Sequence, residues 1–497
     1  MLLIALLLIP VATAAASYFA RRREEMEWAN VGGFGLIALA AIALVAQVLA
    51  YGTVSLANGF FYADALSALV ILLTALVALV SATYSVGYLR DDQKNGELGD
   101  DLSDKEQLAQ LRMYYMLTPL FVFSMIFVAV ANNLGVMWAA IEATTLVSVF
   151  LVTFYGKVTS LEAAWKYAII GGVGLSMALF GTLVTYYAGH LLAGSDALAG
   201  LNWSVLVQHA AQLDKTSMRL AFVLILMGYG AKAGLAPMHT WKPDAYSEAP
   251  VPSAAILSSA MLNCALYGLI RFYILTSRSL GTEYPSHLLL LFGLLSMGIS
   301  VPFVLAQRNL RRLLAYSSIE HGGVMVVALG LGGPLGTLGL MLHMTFHTVA
   351  KSLVFLCAGN VLQHYRTDLF SEIKGSVIRV MPLTGIIFLM AMMAIIGMPP
   401  FSLFQSEFLI VRAAIDSGHL LTGVLFVLFG TGVFAGALWH VGGMILGPKG
   451  DTAIAGRRPW RDGSLLALAA VLVVIGFWVP GPLLALIRGA AQVVSGQ

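Results

Sequence analysis

Long apolar runs separated by short polar breaks dominate the chain, and about fourteen of them reach the roughly 20 residues that a helix needs to cross a hydrocarbon core about 30 Å thick. They lie near 2–20, 29–50, 64–88, 113–131, 133–155, 162–188, 218–237, 253–276, 286–306, 314–333, 335–362, 382–411, 418–447 and 463–487. No long segment alternates apolar and polar positions with the period of two expected of a membrane strand. Backbone in lipid must satisfy its own hydrogen bonds, so the runs are read as helices. The expectation is an all-α polytopic membrane protein of about 14 transmembrane helices.

Composition agrees with a bilayer: 59% of the 497 residues are hydrophobic, 11% are charged and the mean hydropathy is +0.86. Such a chain cannot cover itself with polar surface. The first run contains ATAAA, which resembles a signal cleavage site, but Arg21, Arg22 and Arg23 follow the apolar stretch instead of preceding it. It is therefore read as a retained helix. Most Lys and Arg residues fall in the connections after odd-numbered runs. The positive-inside rule then puts those connections in the cytoplasm and both termini on the outer, periplasmic side of the plasma (inner) membrane. A net charge of +3 gives no reason to expect nucleic acid. The acidic connection DDQKNGELGDDLSDKEQ reads as a solvated loop or a docking point for a partner. Cys264 and Cys357 lie inside apolar runs without metal spacing, so they read as packing residues.

Removing the loops leaves few ionisable groups at membrane depth: Glu142, Lys232, Arg271, His321, His343, His347, Lys351 and Glu407, with Lys166 and His440 at the margins. Each costs several kcal/mol there unless it faces a partner, water or a cavity. Arg271, near the end of its run, is read as a structural or snorkelling residue. In MGYGAKAGLAPMHTW, Lys232 stands among Gly228, Gly230, Gly234 and Pro237, and Pro should break the helix just after the lysine. AIIGMPPFSLFQSEFLIV repeats the arrangement, with Gly397, Pro399 and Pro400 ahead of Glu407. Two interrupted runs five places apart predict two five-helix repeats, and an odd number of helices makes the second copy inverted. The expected divisions are 1–112 (three helices and the acidic loop), 113–276 (first half-channel), 277–447 (second half-channel) and 448–497 (last helix).

His343, His347 and Lys351 follow one another at four-residue intervals, on one helix face over about 12 Å. A file of this kind suits proton hopping through water. Histidines four apart can also ligate a metal, but no HExxH carboxylate accompanies them and an ammonium is the third member, so no metal is assigned. If Glu142 approaches Lys232, each stabilises the other's charged form, and separating them lets Lys232 release its proton.

The strings KAGLAPMHTWKPDAYSEAPVPSAAILSSAML, WAAIEATTL, AYSSIEHGG, HMTFHTVAKSLVFLCAG and GMPPFSLFQSEF resemble the antiporter-like proton-channel subunits. That superfamily spans respiratory complex I, Mrp antiporters and the membrane arms of energy-converting hydrogenases. AAIEATTLVSVFLV, SLEAAWKYAIIGGVG, MLNCALYGLIRF and PPFSLFQSEF resemble the hydrogenase-4 component F group most. The resemblance implies a proton path through Glu142, Lys232, Lys351 and Glu407; the residues themselves add His343 and His347 on their common helix face, and His239 and His321, to the expected path. Asn263 stands where this family often has a lysine, which leaves a gap between the half-channels unless His321, His239 or water bridges it.

The sequence shows no redox site, cofactor site or catalytic residue. The leading expectation is a proton-translocating membrane subunit of a redox-driven complex, of the group 4 NiFe hydrogenase or NADH-quinone oxidoreductase type. Its partners would be the other membrane subunits. The alternatives are an Mrp-type Na⁺/H⁺ antiporter subunit and a purely structural one.

Overall fold

The computed structural model of the chain describes residues 1–99, 102–189, 199–373, 376–447, 456 and 458–496. Helices α1 (Leu2–Phe19) and α2 (Arg23–Tyr51) precede a small antiparallel hairpin of β1 (Val54–Leu56) and β2 (Phe61–Ala63), which the sequence pattern did not suggest. Four long helices follow, α3 (Ala65–Lys94), α4 (Asp104–Val130), α5 (Leu134–Val152) and α6 (Val158–Gly189), and then short α7 (Trp203–Gln208). The middle of the chain holds α8 (Lys215–Ala233), α9 (Trp241–Glu248), α10 (Val251–Ile256), α11 (Leu262–Leu280), α12 (Glu283–Leu305), α13 (Leu310–Leu331) and α14 (Gly333–Tyr365). The remainder is α15 (Val377–Val380), α16 (Pro382–Ile395), α17 (Ser402–Asp416), α18 (Leu420–Leu446), α19 (Pro459–Phe477) and α20 (Gly481–Ser495).

Among the described residues, twelve helices are long and apolar enough to cross a membrane, counting Val251–Leu280 as one, and α16 and α20 are shorter apolar helices. The chain is a multi-pass membrane protein. Four of its predicted runs resolve differently in detail. The run 218–237 ends early, at Ala233, and its second half is α9, beyond the expected boundary. The run 382–411 divides into α16 and α17 around Gly397 and the two prolines. The run 463–487 is two helices, because Pro480 and Pro482 flank the start of α20 and Pro cannot continue a preceding helix. The run 253–276 extends to Val251–Leu280 and carries a π-helical turn, Leu257–Met261, between α10 and α11.

Burial separates an inner from an outer set of helices. The most apolar windows of Val251–Leu280, α13 and α14 are 100% buried and that of α3 is 83% buried, whereas those of α1, α2, α6 and α12 are 39% buried and that of α18 is 33%. The outer helices present one apolar face outward, and the inner ones must satisfy any polar side chain within the protein. That is where most of the intramembrane charges lie. Predicted odd-numbered connections meet one another through ion pairs such as Arg90 with Glu27, Lys157 with Glu97, Arg311 with Asp368, and Arg461 with Asp91.

Candidate functional site

The first centre forms where α6 crosses α8. A Cβ on Gly228 would lie 2.6 Å from the Gly174 carbonyl oxygen and 2.5 Å from the Ala178 Cβ, so only glycine lets the helices approach this closely. The contact brings Tyr167 to Lys232, which is 1% exposed in the last turn of α8. The Lys232 ammonium donates to Tyr167 Oη at 2.7 Å and to Thr145 Oγ1 at 2.8 Å, and it lies 5.0 Å from the centre of the Tyr167 ring. Tyr167 Oη also bonds to Ser148 Oγ at 2.8 Å. Glu142 stands one turn before Thr145 on α5, and its Oε2 is buried without a hydrogen-bond partner. Hydroxyls hold the ammonium, and among the described residues no direct ion pair joins Glu142 to Lys232.

Gly234, at φ +73°, ends α8 in the left-handed region that glycine adopts without a Cβ penalty. The interruption leaves carbonyls of the last turn unpaired within the helix. Trp241 Nε1 donates at 2.9 Å to Ala231 O, which also takes the Gly234 N–H, and Lys242 Nζ donates to Ala233 O at 2.7 Å. Lys242 also reaches Ser318 O on α13 at 3.4 Å and is 0% exposed. Lys242, which falls in the polar connection after the run 218–237, belongs to the first turn of α9, the second half of the broken helix. The signal for it is position alone, shortly after Gly234 and Pro237 at the break, since WKPDAYSE itself is polar.

The second centre lies between α13 and α14. Lys351 Nζ donates to Ser317 Oγ at 2.9 Å, next to the Ser318 carbonyl that Lys242 reaches. Glu320, 4% exposed, places Oε2 3.4 Å from His321 Nδ1. It is a buried carboxylate that the sequence reading did not single out, although AYSSIEHGG shows it beside the histidine that was. His321 Nδ1 lies 3.1 Å from His343 Nε2, and His343 Nδ1 lies 3.0 Å from Ser406 Oγ on α17. His343 and His347 stack with ring centres 6.3 Å apart, as their four-residue spacing requires, and both ring nitrogens of His347 are buried without a partner.

Glu407, on α17, borders a cavity of about 520 Å³ lined also by Ser317, Glu320, His321 and Gly397. Gly397 has φ +70°, and a Cβ there would fall 2.2 Å from Glu407 Oε2. The two breaks thus share a device: a left-handed glycine vacates space that an ionisable side chain from the following half-helix fills, Lys242 at Gly234 and Glu407 at Gly397.

Asn263, just after the π-helical turn, donates to Thr348 Oγ1 at 2.7 Å, and its Oδ1 has no partner. His239, 7% exposed, has a buried Nδ1 without a partner, and among the described residues no side-chain hydrogen bond joins it to the centres above. Arg271 is structural, as its position suggested: both terminal nitrogens meet Asp64 at 2.7 and 2.8 Å, and its guanidinium lies 4.2 Å from the Trp203 ring centre. Burial favours the neutral Asp64 carboxyl, but Arg271 and the Ser67 bonds outweigh it and hold the group below its ordinary value. Lys166 and His440 do not belong to the buried interior. Lys166 is exposed and pairs with Glu162 at 2.7 Å and Asp244 at 3.0 Å, and half-buried His440 meets the Leu305 carbonyl at 3.0 Å. Both cysteines are buried and free.

Residues 131–434 match the family described as NADH:quinone oxidoreductase/Mrp antiporter, TM. The chain is 37% identical over 425 residues to a hydrogenase-4 component F homolog of Methylacidiphilum infernorum, covering 85% of this chain and 86% of that one. Its fold resembles a chain of the membrane-bound sulfane sulfur reductase, an archaeal respiratory membrane complex, with TM-score 0.84 and 24% identity over 99% of this chain and 97% of that one. It also resembles a chain of the Mrp complex of a Dietzia species, with TM-score 0.80 and 21% identity over 99% and 96%.

Proposed function

Because the chain belongs to the NADH:quinone oxidoreductase/Mrp antiporter transmembrane family, we propose that it is a proton-translocating membrane subunit of a redox-driven complex, of the group 4 NiFe hydrogenase or NADH-quinone oxidoreductase type. Electron transfer in partner subunits drives it, and it sits in the plasma membrane with both termini on the outer side. The observation that carries this reading is the run of buried ionisable groups through the inner helices. It passes from Lys232 with its hydroxyl cradle to Lys242 on the carbonyl of the neighbouring Ala233. Lys242 leads to the Ser317–Ser318 turn, Lys351 and Glu320, and then through His321 and His343 to Ser406 and Glu407. Lys242 stands between the two half-channels, where Asn263 leaves no titratable group.

Protons move along such a line by small side-chain rotations and intervening water, with Glu142 as the far partner of Lys232 and His347 as a further acceptor beside His343. Moving one charge across the membrane costs about 2.3 kcal/mol per 100 mV. Repulsion between neighbouring ammonium and imidazolium groups about 4 Å apart is of that size even at an effective dielectric near 20. The work therefore needs no cofactor in this chain.

The test is redox-driven acidification of proteoliposomes holding the native complex. Lys232→Ala should abolish proton movement while co-purification of the partner subunits persists, and Glu407→Gln should impair it. Normal pumping in Lys232→Ala refutes the role. The family description also covers Mrp antiporters, and proton movement that requires Na⁺ and no electron donor would favour that second reading.

A further inference from the structure

We propose that His321, His343 and Glu407 form a binding site for a divalent d-block cation of the Zn²⁺ class at the break between α16 and α17. The inference goes beyond the proton reading, since it concerns equilibrium binding of a different ion, although it uses residues of the same path.

One ligand atom from each of the three side chains lies within 4.8 Å of the other two. His321 Nδ1 and His343 Nε2 are already 3.1 Å apart. Around a tetrahedral ion with bonds of about 2.0–2.1 Å, adjacent ligand atoms are separated by about 3.3 Å. The imidazole pair therefore has the spacing of one edge of such a site, and the carboxylate completes a face by closing a gap of at most about 1.5 Å. Glu407 has room for that movement because it borders the cavity of about 520 Å³, which also supplies space for a water as fourth ligand.

The surrounding hydrogen bonds set the protonation of one ligand. Ser406 Oγ reaches both the Leu403 carbonyl at 2.8 Å and His343 Nδ1 at 3.0 Å; with its hydrogen on the carbonyl it accepts from Nδ1–H. In that arrangement Nδ1 carries the hydrogen of neutral His343 and the Nε2 lone pair faces His321 Nδ1, 3.1 Å away. An outer hydrogen bond that fixes the tautomer and presents the other nitrogen is what a metal-binding histidine requires. The facing nitrogens can share a proton or a metal ion. Two imidazoles with one carboxylate select a borderline-soft cation and are poor ligands for Na⁺ or Mg²⁺, which prefer oxygen.

The three ligands come from α13, α14 and α17, which explains why the sequence concealed the site. The four-residue pair His343 and His347, to which the sequence assigned no metal, is not the ligating one, and the carboxylate that no HExxH motif supplied arrives from another helix. An ion here ties α17 to α13 and α14 across the break.

The experiment uses the native complex, free of affinity tags and stripped with a chelator, titrated with Co²⁺ and followed by the visible d–d bands of four-coordinate cobalt. The expected result is one Co²⁺ per chain, displaced by Zn²⁺. Stoichiometric binding should vanish in His343→Gln and in Glu407→Gln. Ser406→Ala, which retains all three ligands, should weaken it by roughly 10–100-fold. Absence of a stoichiometric site in the native complex, or unchanged binding in the three variants, overturns the proposal. Because binding is read without proton flux, its failure leaves the transport reading standing, and a failure of transport leaves the metal site standing.

Discussion

Glu407 occupies the space that a side chain at Gly397 would need: a Cβ there would fall 2.2 Å from its Oε2 and 2.9 Å from its Cδ. Gly397→Ala must therefore evict the carboxylate from the break in addition to straining a backbone at φ +70°. Gly418→Ala is the matched control, since Gly418 has φ +77° and nothing within 4 Å of the built Cβ. Both substitutions should cost about 1–2 kcal/mol of stability from the left-handed backbone alone. Only Gly397→Ala should also depress redox-driven proton movement in proteoliposomes. Equal pumping by the two variants would show that the position of Glu407 beside the break does not matter.

Tyr167 gives a prediction at the first centre. Its hydroxyl accepts one of the two side-chain hydrogen bonds of the Lys232 ammonium, the other going to Thr145. A hydrogen bond to a charged group contributes about 1.5–3 kcal/mol. Tyr167→Phe should therefore weaken the hold on the ammonium by that amount and slow proton movement by roughly 10–100-fold at unchanged assembly. Thr145→Val should act in the same direction. A fully active Tyr167→Phe complex would mean that the cradle only fills space.

The sequence made the helical, multi-pass architecture legible because hydropathy reports directly on the bilayer. Lys232, Lys351 and Glu407 were legible because each interrupts an apolar run. Lys242 was not, because WKPDAYSE is too polar to read as part of a broken membrane helix, although packing buries the lysine completely. Glu320 was hidden by its neighbour His321, and its depth follows from α13 being surrounded on all sides. The relation of Ser406 to His343 spans 63 residues and depends on how α17 seats against α14, which no local pattern records. The double helix at the C-terminal end was signalled by Pro480 and Pro482 but masked by the apolar residues around them.

The pair of Asp64 and Arg271 predicts a pH dependence of stability separate from transport. Their side chains are only 3% and 2% exposed, and removing one partner of such a pair strands a buried charge, at a cost of about 3–5 kcal/mol. Asp64→Asn should lower the thermal midpoint of the purified complex accordingly. The folded-state pKa of Asp64 lies below its ordinary value. The pair's contribution is therefore fully present above the unfolded carboxylate pKa of about 3.9 and is lost as the pH falls through the lower folded value. Below that range Asp64→Asn and the native protein should converge in midpoint; a difference that persists unchanged at acid pH would assign the stability to something other than the ion pair.

Lys242 separates a structural from a transporting role most directly. Its ammonium bonds the Ala233 carbonyl at the C-terminal end of α8, where a positive charge is favoured by the helix dipole, and it also reaches α13. If it served only as a cap, Lys242→Arg would preserve function, since a guanidinium keeps both charge and donors, whereas Lys242→Met would damage assembly. A proton carrier must also give its proton up, which arginine does not do at physiological pH. The expected outcome is that Lys242→Arg assembles with its partner subunits, supports electron transfer in an uncoupled membrane and fails to move protons. Lys242→Met should share the transport defect. Proton pumping by Lys242→Arg at the native stoichiometry would confine Lys242 to the structural role and return the link between the half-channels to water near Asn263.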